Sequence, residues 1–302
     1  MIPSPFRGVR RNGPDGPGSF YLRGRFVYHT RTMYPKVSIN IVAWNSMQFI
    51  PDLMKSIMAQ TYQDFNVLVI DNGSSDGVEM FLREHYPDVV LIRNVRNLGF
   101  APAQNQGIRY AVEHWPSSDA KDQFVLVTNP DIIFTPTYLE ELMVEVHTHP
   151  EVGSLGGKLL RAFGENLADE VMKETVLSDR FDSTGLNPHR NFTVTDRGAG
   201  ELDQGQYDTQ EKIFGVSGAL VLYRGQALID ARYKDEFFDH DFFAYKEDVD
   251  LAWRLQQLGW DALYVPQAKA YHYRGMYGAE KNDLFEKLKN WRRKSSIRNY
   301  YS

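Results

Sequence analysis

Short apolar runs alternate with amphipathic segments from Pro35 onward, and this alternation predicts the fold. The apolar runs are rich in β-branched residues and are predicted to be buried strands at 36–44, 65–71, 89–94 and 123–131. The segments that follow them carry apolar residues at helical spacing, at 50–61, 77–86, 101–115 and 135–149. Repeated strand–helix units predict an α/β protein with a mostly parallel central sheet and helices on both faces.

The pattern changes after the fourth helix, which is expected to start with Thr135 as its N-cap because Pro136 follows. A polar, glycine-rich stretch at 182–208 then separates strand-like pieces at 152–160 and 212–223. We expect it to form loops and a hairpin around the site and not a second domain. A helix at 247–259 and strands at 260–266 and 269–275 complete the predicted order.

The two ends of the chain differ from this central region. Residues 1–34 are rich in Arg, Gly and Pro, so we expect an extended arm and not a secretory signal; docking on a partner is the alternative. Residues 281–302 carry seven basic residues and two acidic ones, with Leu284 and Leu288 at helical spacing. A basic amphipathic helix over 276–302 is therefore expected, either packed on the domain or resting on an anionic membrane surface.

Composition narrows the class of protein. The chain has 302 residues, 42% hydrophobic and 24% charged, a net charge of −5 and a pI of about 5.9, so nucleic-acid binding is not expected. It has no cysteine, which excludes thiolate metal sites. No apolar stretch approaches the roughly 20 residues that span a bilayer. A cytoplasmic protein is expected, with any membrane contact peripheral and on the inner face of the plasma membrane.

Polar residues follow three of the predicted strands. They are Asn45 after the first strand, Asp71 after the second and Asp131 after the fourth. The ligand crevice of an open parallel sheet lies outside the carboxyl ends of its strands, so these residues are expected to share one rim. The turn after the first strand lacks the glycine fingerprint of dinucleotide-binding proteins, which argues against a dehydrogenase.

Each motif has a functional interpretation and a structural one. Asp71 could accept a hydrogen bond from a pyrimidine base or a ribose hydroxyl. An Asp followed by a Gly/Ser-rich turn can also serve only to shape that turn. Asn105, on the helix after NLGF, is expected to face the rim, although a plain loop and cap would look the same.

Asp131, Asp248 and His272 each allow two interpretations as well. Asp131 could bind a hard cation or belong to a simple turn. Asp248 could act as a general base or only occupy a favourable position at the start of a helix. His272 could be a metal ligand or a structural histidine.

Taken in order, seven motifs resemble family 2 glycosyltransferases with the GT-A fold. They are VSINIVAWN, VLVIDNGSSDG, NLGFAPAQNQG, VTNPD, FGVSGALVLYR, YKEDVDLAWRLQQLGW and YHYRG. The resemblance covers residues 35–275 as a glycosyltransferase domain and is nearest to bacterial rhamnosyltransferase-like enzymes of cell-envelope polysaccharide synthesis. Each motif is weak alone, and the ordered set is specific.

The resemblance implies a role for individual residues. The nucleotide and donor sugar would be lined or supported by Ala43, Asn45, Asp71, Asn72, Asn105, Asn129, Gly218 and Ala219. Asn129 stands where the first acid of the Asp-x-Asp metal motif stands, which is a departure from the strict motif. Asp131 and His272 would hold Mg²⁺ or Mn²⁺. Asp248 would be the catalytic base, with Glu247 beside it.

The reaction implied is a single inverting displacement. The donor would be a nucleotide-diphosphate sugar, either deoxythymidine-diphosphate rhamnose or a uridine-diphosphate sugar, and the acceptor a glycan or polyprenyl-linked hydroxyl. A sugar nucleotidyltransferase is the enzymatic alternative, but AWNSMQFIP offers no basic residue for a triphosphate. A non-catalytic carbohydrate- or nucleotide-binding module is the other alternative.

Overall fold

The computed structural model describes residues 36–115, 120–165 and 174–273, together with a short strand pair nearer the start of the chain. That pair, β1 (Tyr21–Leu22) and β2 (Arg25–Phe26), is antiparallel. The rest of the predicted arm over 1–34 and all of the predicted helix over 276–302 lie outside the described residues. In the part of the chain that is described, no helix is long and apolar enough to cross a membrane.

Strands and helices alternate through the first half, and strands dominate the second. The strands are β3 (Val37–Ala43), β4 (Phe65–Asp71), β5 (Val90–Arg93), β6 (Phe124–Thr128), β7 (Ile132–Phe134), β8 (Val152–Glu165), β9 (Glu174–Ser183), β10 (Leu186–Pro188), β11 (Val194–Asp196), β12 (Glu211–Ile213), β13 (Leu220–Arg224) and β14 (Asp261–Tyr273). The helices are α1 (Ile50–Met58), α2 (Val78–His85), α3 (Phe100–His114), α4 (Tyr138–Thr148), α5 (Gly225–Ala231) and α6 (Glu247–Gln257), with a 3₁₀ turn at Ala120–Asp122.

One ten-stranded sheet organises the molecule. Its order is β12-β14-β8-β13-β6-β3-β4-β5, with β7 paired to β14 and β9 paired to β8. Strands β5, β4, β3 and β6 are parallel, and so is the β8–β14 pair. Strand β13 runs antiparallel between β6 and β8, so the parallel half predicted from the sequence is joined to a mixed half. Strands β10 and β11 form a separate hairpin in the polar stretch.

Helices cover both faces of this sheet, as the alternating pattern predicts. Apolar side chains of α1, α2 and α4 pack on one face, against alternate residues of β3 such as Ile39 and Ile41. Helices α3, α5 and α6 pack on the other face, against Val125 and Val221 of neighbouring strands. Strand β3 is buried along its whole length because it is covered on both sides.

Two local predictions near the end of β6 are wrong. Thr135 does not cap the fourth helix: α4 begins at Tyr138 after Thr137, and the Thr135 hydroxyl donates to the carbonyl of Lys269 at 2.6 Å. The predicted strand over 123–131 ends at Thr128, and the residues after Asp131 form β7. Strand β7 pairs with the end of β14. Strand β14 is one continuous strand where the sequence predicts two, at 260–266 and 269–275.

Candidate functional site

Asp71 lies at the carboxyl end of β4 with a free acceptor atom. Its side chain is buried, and its Oδ1 accepts a hydrogen bond from the backbone of Ser74 at 2.8 Å. Its Oδ2 is also buried and accepts no hydrogen bond from the described residues, although it forms an ion pair with Arg93 Nε at 3.5 Å. Ala43, at the end of β3, accepts from the backbone of Asn72 at 2.7 Å. The two strand ends are therefore fixed together beside a carboxylate oxygen that can still accept a hydrogen bond.

Asn45 and Asn72 organise the loops of this rim. Asn45 has a left-handed backbone (φ 48°), and its Oδ1 accepts from the backbone of Ser75 at 2.9 Å. The buried Asn72 side chain donates to Asn97 Oδ1 at 2.8 Å and to the Gly99 carbonyl at 3.0 Å. Its Oδ1 accepts from the Asn94 side chain and the Leu98 backbone. The Asn72 amide is thus occupied within the protein and positions the 94–99 loop.

Asn105 also bonds within the protein. The sequence predicts that it faces the rim and supports the donor. Its Oδ1 instead accepts from the backbone N–H groups of Phe237 and Phe238, at 3.0 and 2.9 Å. Its Nδ2 donates to the Phe238 carbonyl at 2.6 Å. Asn105 therefore anchors the segment that leads into α6.

Asp131 and His272 meet across the β7–β14 pair. Asp131 immediately precedes β7, and its carbonyl accepts from the backbone of Tyr273 at 2.9 Å. His272 pairs with Ile132 in the same ladder, which brings His272 Nε2 to 3.2 Å from Asp131 Oδ1. On the other side of the ring, Nδ1 lies 2.7 Å from Asp182 Oδ2. The imidazole is held between two carboxylates.

Two carboxylates flank the His272 ring, and their negative charge favours a cation there, either the proton of an imidazolium or a metal ion. Burial alone lowers the pKa of His272, but the carboxylates of Asp131 and Asp182 raise it to about 10. Asp131 Oδ1 is buried and accepts no hydrogen bond of good geometry, even from the nearby ring. Adjacent ligands of an octahedral ion at about 2.1 Å lie about 3 Å apart, which matches the separation between Asp131 Oδ1 and His272 Nε2. The residues present therefore fit a divalent cation.

A two-residue wall joins the cation end of the site to the start of α6. The backbone N–H of Asn129 donates to the Ala219 carbonyl at 2.9 Å. The preceding residue, Gly218, donates its N–H to Asp248 Oδ2 at 2.9 Å. Asn129 and the Gly218–Ala219 wall, both assigned to the donor from the sequence, are thus linked to the expected base by two short hydrogen bonds.

The acids at the start of α6, the buried Glu247 and the half-buried Asp248, hold their protons more tightly than usual. Burial raises the pKa of Asp248, against hydrogen bonds from the backbone of Gly218 and Val249 that lower it. Burial, and then the charge of Asp248, raise the pKa of Glu247 to about 8. A carboxylate with a raised pKa close to neutral pH is suited to proton transfer.

Two acids near the site were missed by sequence reasoning. Asp182 contacts His272, and Asp196, at the end of β11, is close enough to raise the pKa of Asp248 by charge repulsion. Both lie in the polar stretch after β8, where acids are frequent and no spacing distinguishes these two. Their positions depend on strand pairing and could not be read from the local sequence.

A third group of ligand-type side chains lies elsewhere. Glu236, Asp239 and His240 come close enough to share a metal ion, but they sit in a partly exposed turn. His240 Nδ1 lies 2.7 Å from Glu236, and this pairing raises the pKa of His240. Pairing between the imidazole and Glu236 accounts for the cluster.

A mixed sheet of this order, with acids at its strand ends and at the start of α6, defines a GT-A glycosyltransferase. Residues 38–224 match the family model described as "Glycosyl transferase family 2", and the chain belongs to that family. The prediction of a family 2 glycosyltransferase is confirmed at this level.

Relatives and solved structures agree with this assignment. The chain is 28% identical over 228 residues to N-acetylglucosaminyl-diphospho-decaprenol L-rhamnosyltransferase of Mycobacterium tuberculosis, covering 73% of this chain and 70% of the relative. It is 25% identical over 267 residues to rhamnosyltransferase WbbL of Escherichia coli, covering 87% and 91%. Both relatives support the rhamnosyltransferase-like branch.

The fold likeness extends to more distant structures. GalNAc-T7 with UDP, GalNAc and Mn²⁺ matches with a TM-score of 0.61 at 12% identity, over 81% of this chain and 45% of that one. Mannosyltransferase PcManGT from Pyrobaculum calidifontis, in complex with GDP-Man and Mn²⁺, matches with a TM-score of 0.52 at 17% identity, over 81% and 59%. At these identities the likeness is one of fold.

Proposed function

We propose that this chain transfers a sugar, with inversion, from a nucleotide-diphosphate donor to a hydroxyl of a lipid-linked or glycan acceptor in cell-envelope polysaccharide synthesis. Two relatives named as rhamnosyltransferases support a rhamnosyl donor such as deoxythymidine-diphosphate rhamnose, with a uridine-diphosphate sugar as the alternative. The name of the mycobacterial relative, an N-acetylglucosaminyl-diphospho-decaprenol rhamnosyltransferase, supports a polyprenyl-diphosphate-linked acceptor.

The donor nucleotide is proposed to bind at the ends of β3 and β4. Asp71 Oδ2 is a buried acceptor without a hydrogen-bond donor, which suits an N–H group of a pyrimidine base. Asn45 and Asn72 hold the loops on either side of it. Their contribution to donor binding is therefore to shape the pocket around Asp71.

Asp131 and His272 are proposed to hold a divalent cation, Mg²⁺ or Mn²⁺. The cation would supply Lewis-acid stabilisation of the diphosphate leaving group. Asn129 and the Gly218–Ala219 wall would lie beside the donor, because the wall is bonded to Asn129 on one side and to Asp248 on the other. Two of the structural neighbours were solved with Mn²⁺, which is consistent with a cation here.

The observation that carries the proposal is the contact of Gly218 N–H with Asp248 Oδ2, because it holds a half-buried carboxylate at the wall that also bonds Asn129, two residues before Asp131. Asp248 would take the proton of the acceptor hydroxyl as that oxygen forms its bond to the anomeric carbon. The bond from that carbon to the diphosphate oxygen breaks in the same step. One displacement of this kind inverts the anomeric configuration, and Glu247 lies beside Asp248 at the start of the same helix.

The acceptor lipid would bring the enzyme to a membrane surface. The predicted basic helix over 276–302 suits that contact, and it remains a prediction because it lies outside the described residues.

A transfer assay tests the proposal. The full chain is incubated with Mn²⁺, a polyprenyl-diphosphate-linked N-acetylglucosamine and, in turn, deoxythymidine-diphosphate rhamnose, uridine-diphosphate N-acetylglucosamine and guanosine-diphosphate mannose. Mass spectrometry detects the product, and NMR gives its anomeric configuration. We expect one donor to yield a disaccharide lipid of configuration opposite to that of the donor. A product of retained configuration would overturn the single-displacement mechanism, and the absence of transfer from every donor would overturn the proposed substrates.

A further inference from the structure

A bulge in β9 places a second carboxylate behind His272. In the β8–β9 ladder, Leu159 pairs with Ser183 and Leu160 pairs with Phe181, so Asp182 is an extra residue on β9. An extra residue of this kind interrupts the pairing and re-aims a side chain. The carboxylate of Asp182 is consequently buried and 2.7 Å from His272 Nδ1, although β9 and β14 lie on opposite sides of β8.

We propose that Asp182 is a positioning residue that receives the Nδ1–H of His272 and so directs Nε2 toward Asp131 as a metal-ligand atom. The inference rests on the proposed function, because it needs a cation at Asp131 and His272. A histidine that binds a metal usually donates its other ring N–H to such a carboxylate. The contact fixes the tautomer, orients the ring and raises its basicity.

The geometry assigns the two oxygens of Asp182 to different partners. Oδ2 faces His272 Nδ1 at 2.7 Å, within ordinary hydrogen-bond distance. Oδ1 faces Arg161 Nε at 3.8 Å, which is too long for a hydrogen bond. Pairing with Arg161 is therefore the weaker contact of this carboxylate. The opposite ring nitrogen, Nε2, lies 3.2 Å from Asp131. Asp182 would thus orient the ring, and Asp131 would bind the cation together with His272 Nε2.

The experiment measures Mn²⁺ binding and does not depend on turnover. Full-length wild type, Asp182→Asn, His272→Ala and the double variant are titrated with Mn²⁺ alone, and free Mn²⁺ is followed by electron paramagnetic resonance. We expect Asp182→Asn to weaken Mn²⁺ binding roughly 10- to 100-fold, the range found for partners of metal-bound histidines. In the His272→Ala background the same substitution should have no further effect, because Asp182 acts through the ring.

Asp203→Asn is the matched control. Asp203 is a half-buried carboxylate of the polar stretch, and it pairs with the buried Lys158 at 2.7 Å without contacting His272. This variant removes the same charge from a carboxylate that also pairs with a basic side chain. The melting temperature of each variant shows how much stability it loses. We expect Asp203→Asn to keep the wild-type Mn²⁺ affinity even if it lowers the melting temperature.

The outcomes separate the two proposals. A wild-type chain that binds no Mn²⁺, or a His272→Ala variant that binds it normally, would overturn the metal site itself. If His272→Ala weakens binding and Asp182→Asn does not, the metal site stands and the positioning role of Asp182 is overturned. An equal effect of Asp182→Asn with and without His272, or an equal loss in Asp203→Asn, would show a general structural effect and would also overturn that role.

Discussion

Gly218 and Asp248 are in direct contact: the N–H of Gly218 donates to Asp248 Oδ2 at 2.9 Å. A Cβ on residue 218 would lie 3.0 Å from Asp248 Cβ and 3.4 Å from Oδ2, so a side chain there would press on the carboxylate. A side chain at residue 218 would therefore require Asp248 to move by a few tenths of an ångström. The contact holds the carboxylate in one orientation before any substrate arrives, which is what a positioned base requires.

Asp248→Asn is expected to lower the transfer rate roughly 10²- to 10⁴-fold, the usual contribution of a general base. The amide oxygen still accepts from Gly218 and only the bond from the Val249 N–H is lost, so the fold and donor binding should be preserved, but an amide takes no proton at neutral pH. Steady-state transfer and calorimetric titration of the donor check the two parts. Asp52→Asn is the control, since Asp52 is also acidic and in the first turn of a helix but is exposed on α1. Near wild-type turnover of Asp248→Asn would refute the assignment of the base.

Chelation is expected to abolish transfer, and either Mg²⁺ or Mn²⁺ should restore it. Asp131→Asn should weaken metal-dependent nucleotide binding at least tenfold, because one of two protein ligands loses its charge. The measurement is the dissociation constant of the donor nucleotide with and without Mn²⁺, in wild type and in Asp131→Asn. If the variant gains as much affinity from Mn²⁺ as wild type does, the cation is bound elsewhere.

Stability is expected to fall as pH rises from about 4.5 to about 8 because of Glu247. Burial and Asp248 raise its pKa to about 8 from the ordinary 4.5, so in this window the folded chain binds a proton that the unfolded chain has lost. The unfolded state then binds fewer protons, and the free energy of unfolding decreases with pH. Below pH 4.5 both states are protonated and this contribution is constant.

The variant Glu247→Gln isolates that contribution, since a glutamine resembles the protonated acid and does not titrate. We expect its melting temperature relative to wild type to be higher at pH 8.5 than at pH 5. Because groups other than the adjacent Asp248 titrate equally in both proteins, the difference between them reports this pair of acids. A constant difference across this range would show that Glu247 keeps an ordinary pKa.

The strand–helix order and the rim could be predicted from the sequence because both follow from local patterns. Apolar runs in the sequence predict buried strands. Because neighbouring parallel strands end at the same edge of a sheet, the residues that follow them, such as Asp71 and Asp131, are predicted to lie at that edge. The three-residue strand β7 could not be predicted, because so short an apolar run has no period. Yet β7 is the element that brings His272 to Asp131.

The hydrogen-bond partners of the buried side-chain amides of Asn72 and Asn105 also could not be predicted. The sequence placed Asn72 and Asn105 correctly on a strand end and a helix, but the partners of a buried polar side chain are chosen by tertiary packing. Asp182 escaped for a related reason, since a bulge in β9 sets its direction and its partner, His272, lies on the distant strand β14. What the sequence could not provide is long-range pairing, and this part of the site depends on it.

Asn105→Ala separates a donor-binding role from a structural one. The substitution leaves the backbone N–H groups of Phe237 and Phe238 and the Phe238 carbonyl without their partner. Because unsatisfied buried polar groups cost about 1–3 kcal/mol each, we expect a loss of stability of a few kcal/mol, measured by urea unfolding.

Donor affinity at a temperature where Asn105→Ala is folded is expected to stay within a few-fold of wild type. The transfer rate should fall further than the affinity, because the segment released by the variant leads into the helix that carries Asp248. Arg109→Ala is the control on the same helix: its guanidinium donates to the carbonyl of Asp235 from an exposed position, so its loss should be much milder. A loss of donor affinity without a loss of stability in Asn105→Ala would mean that its amide contacts the donor after all.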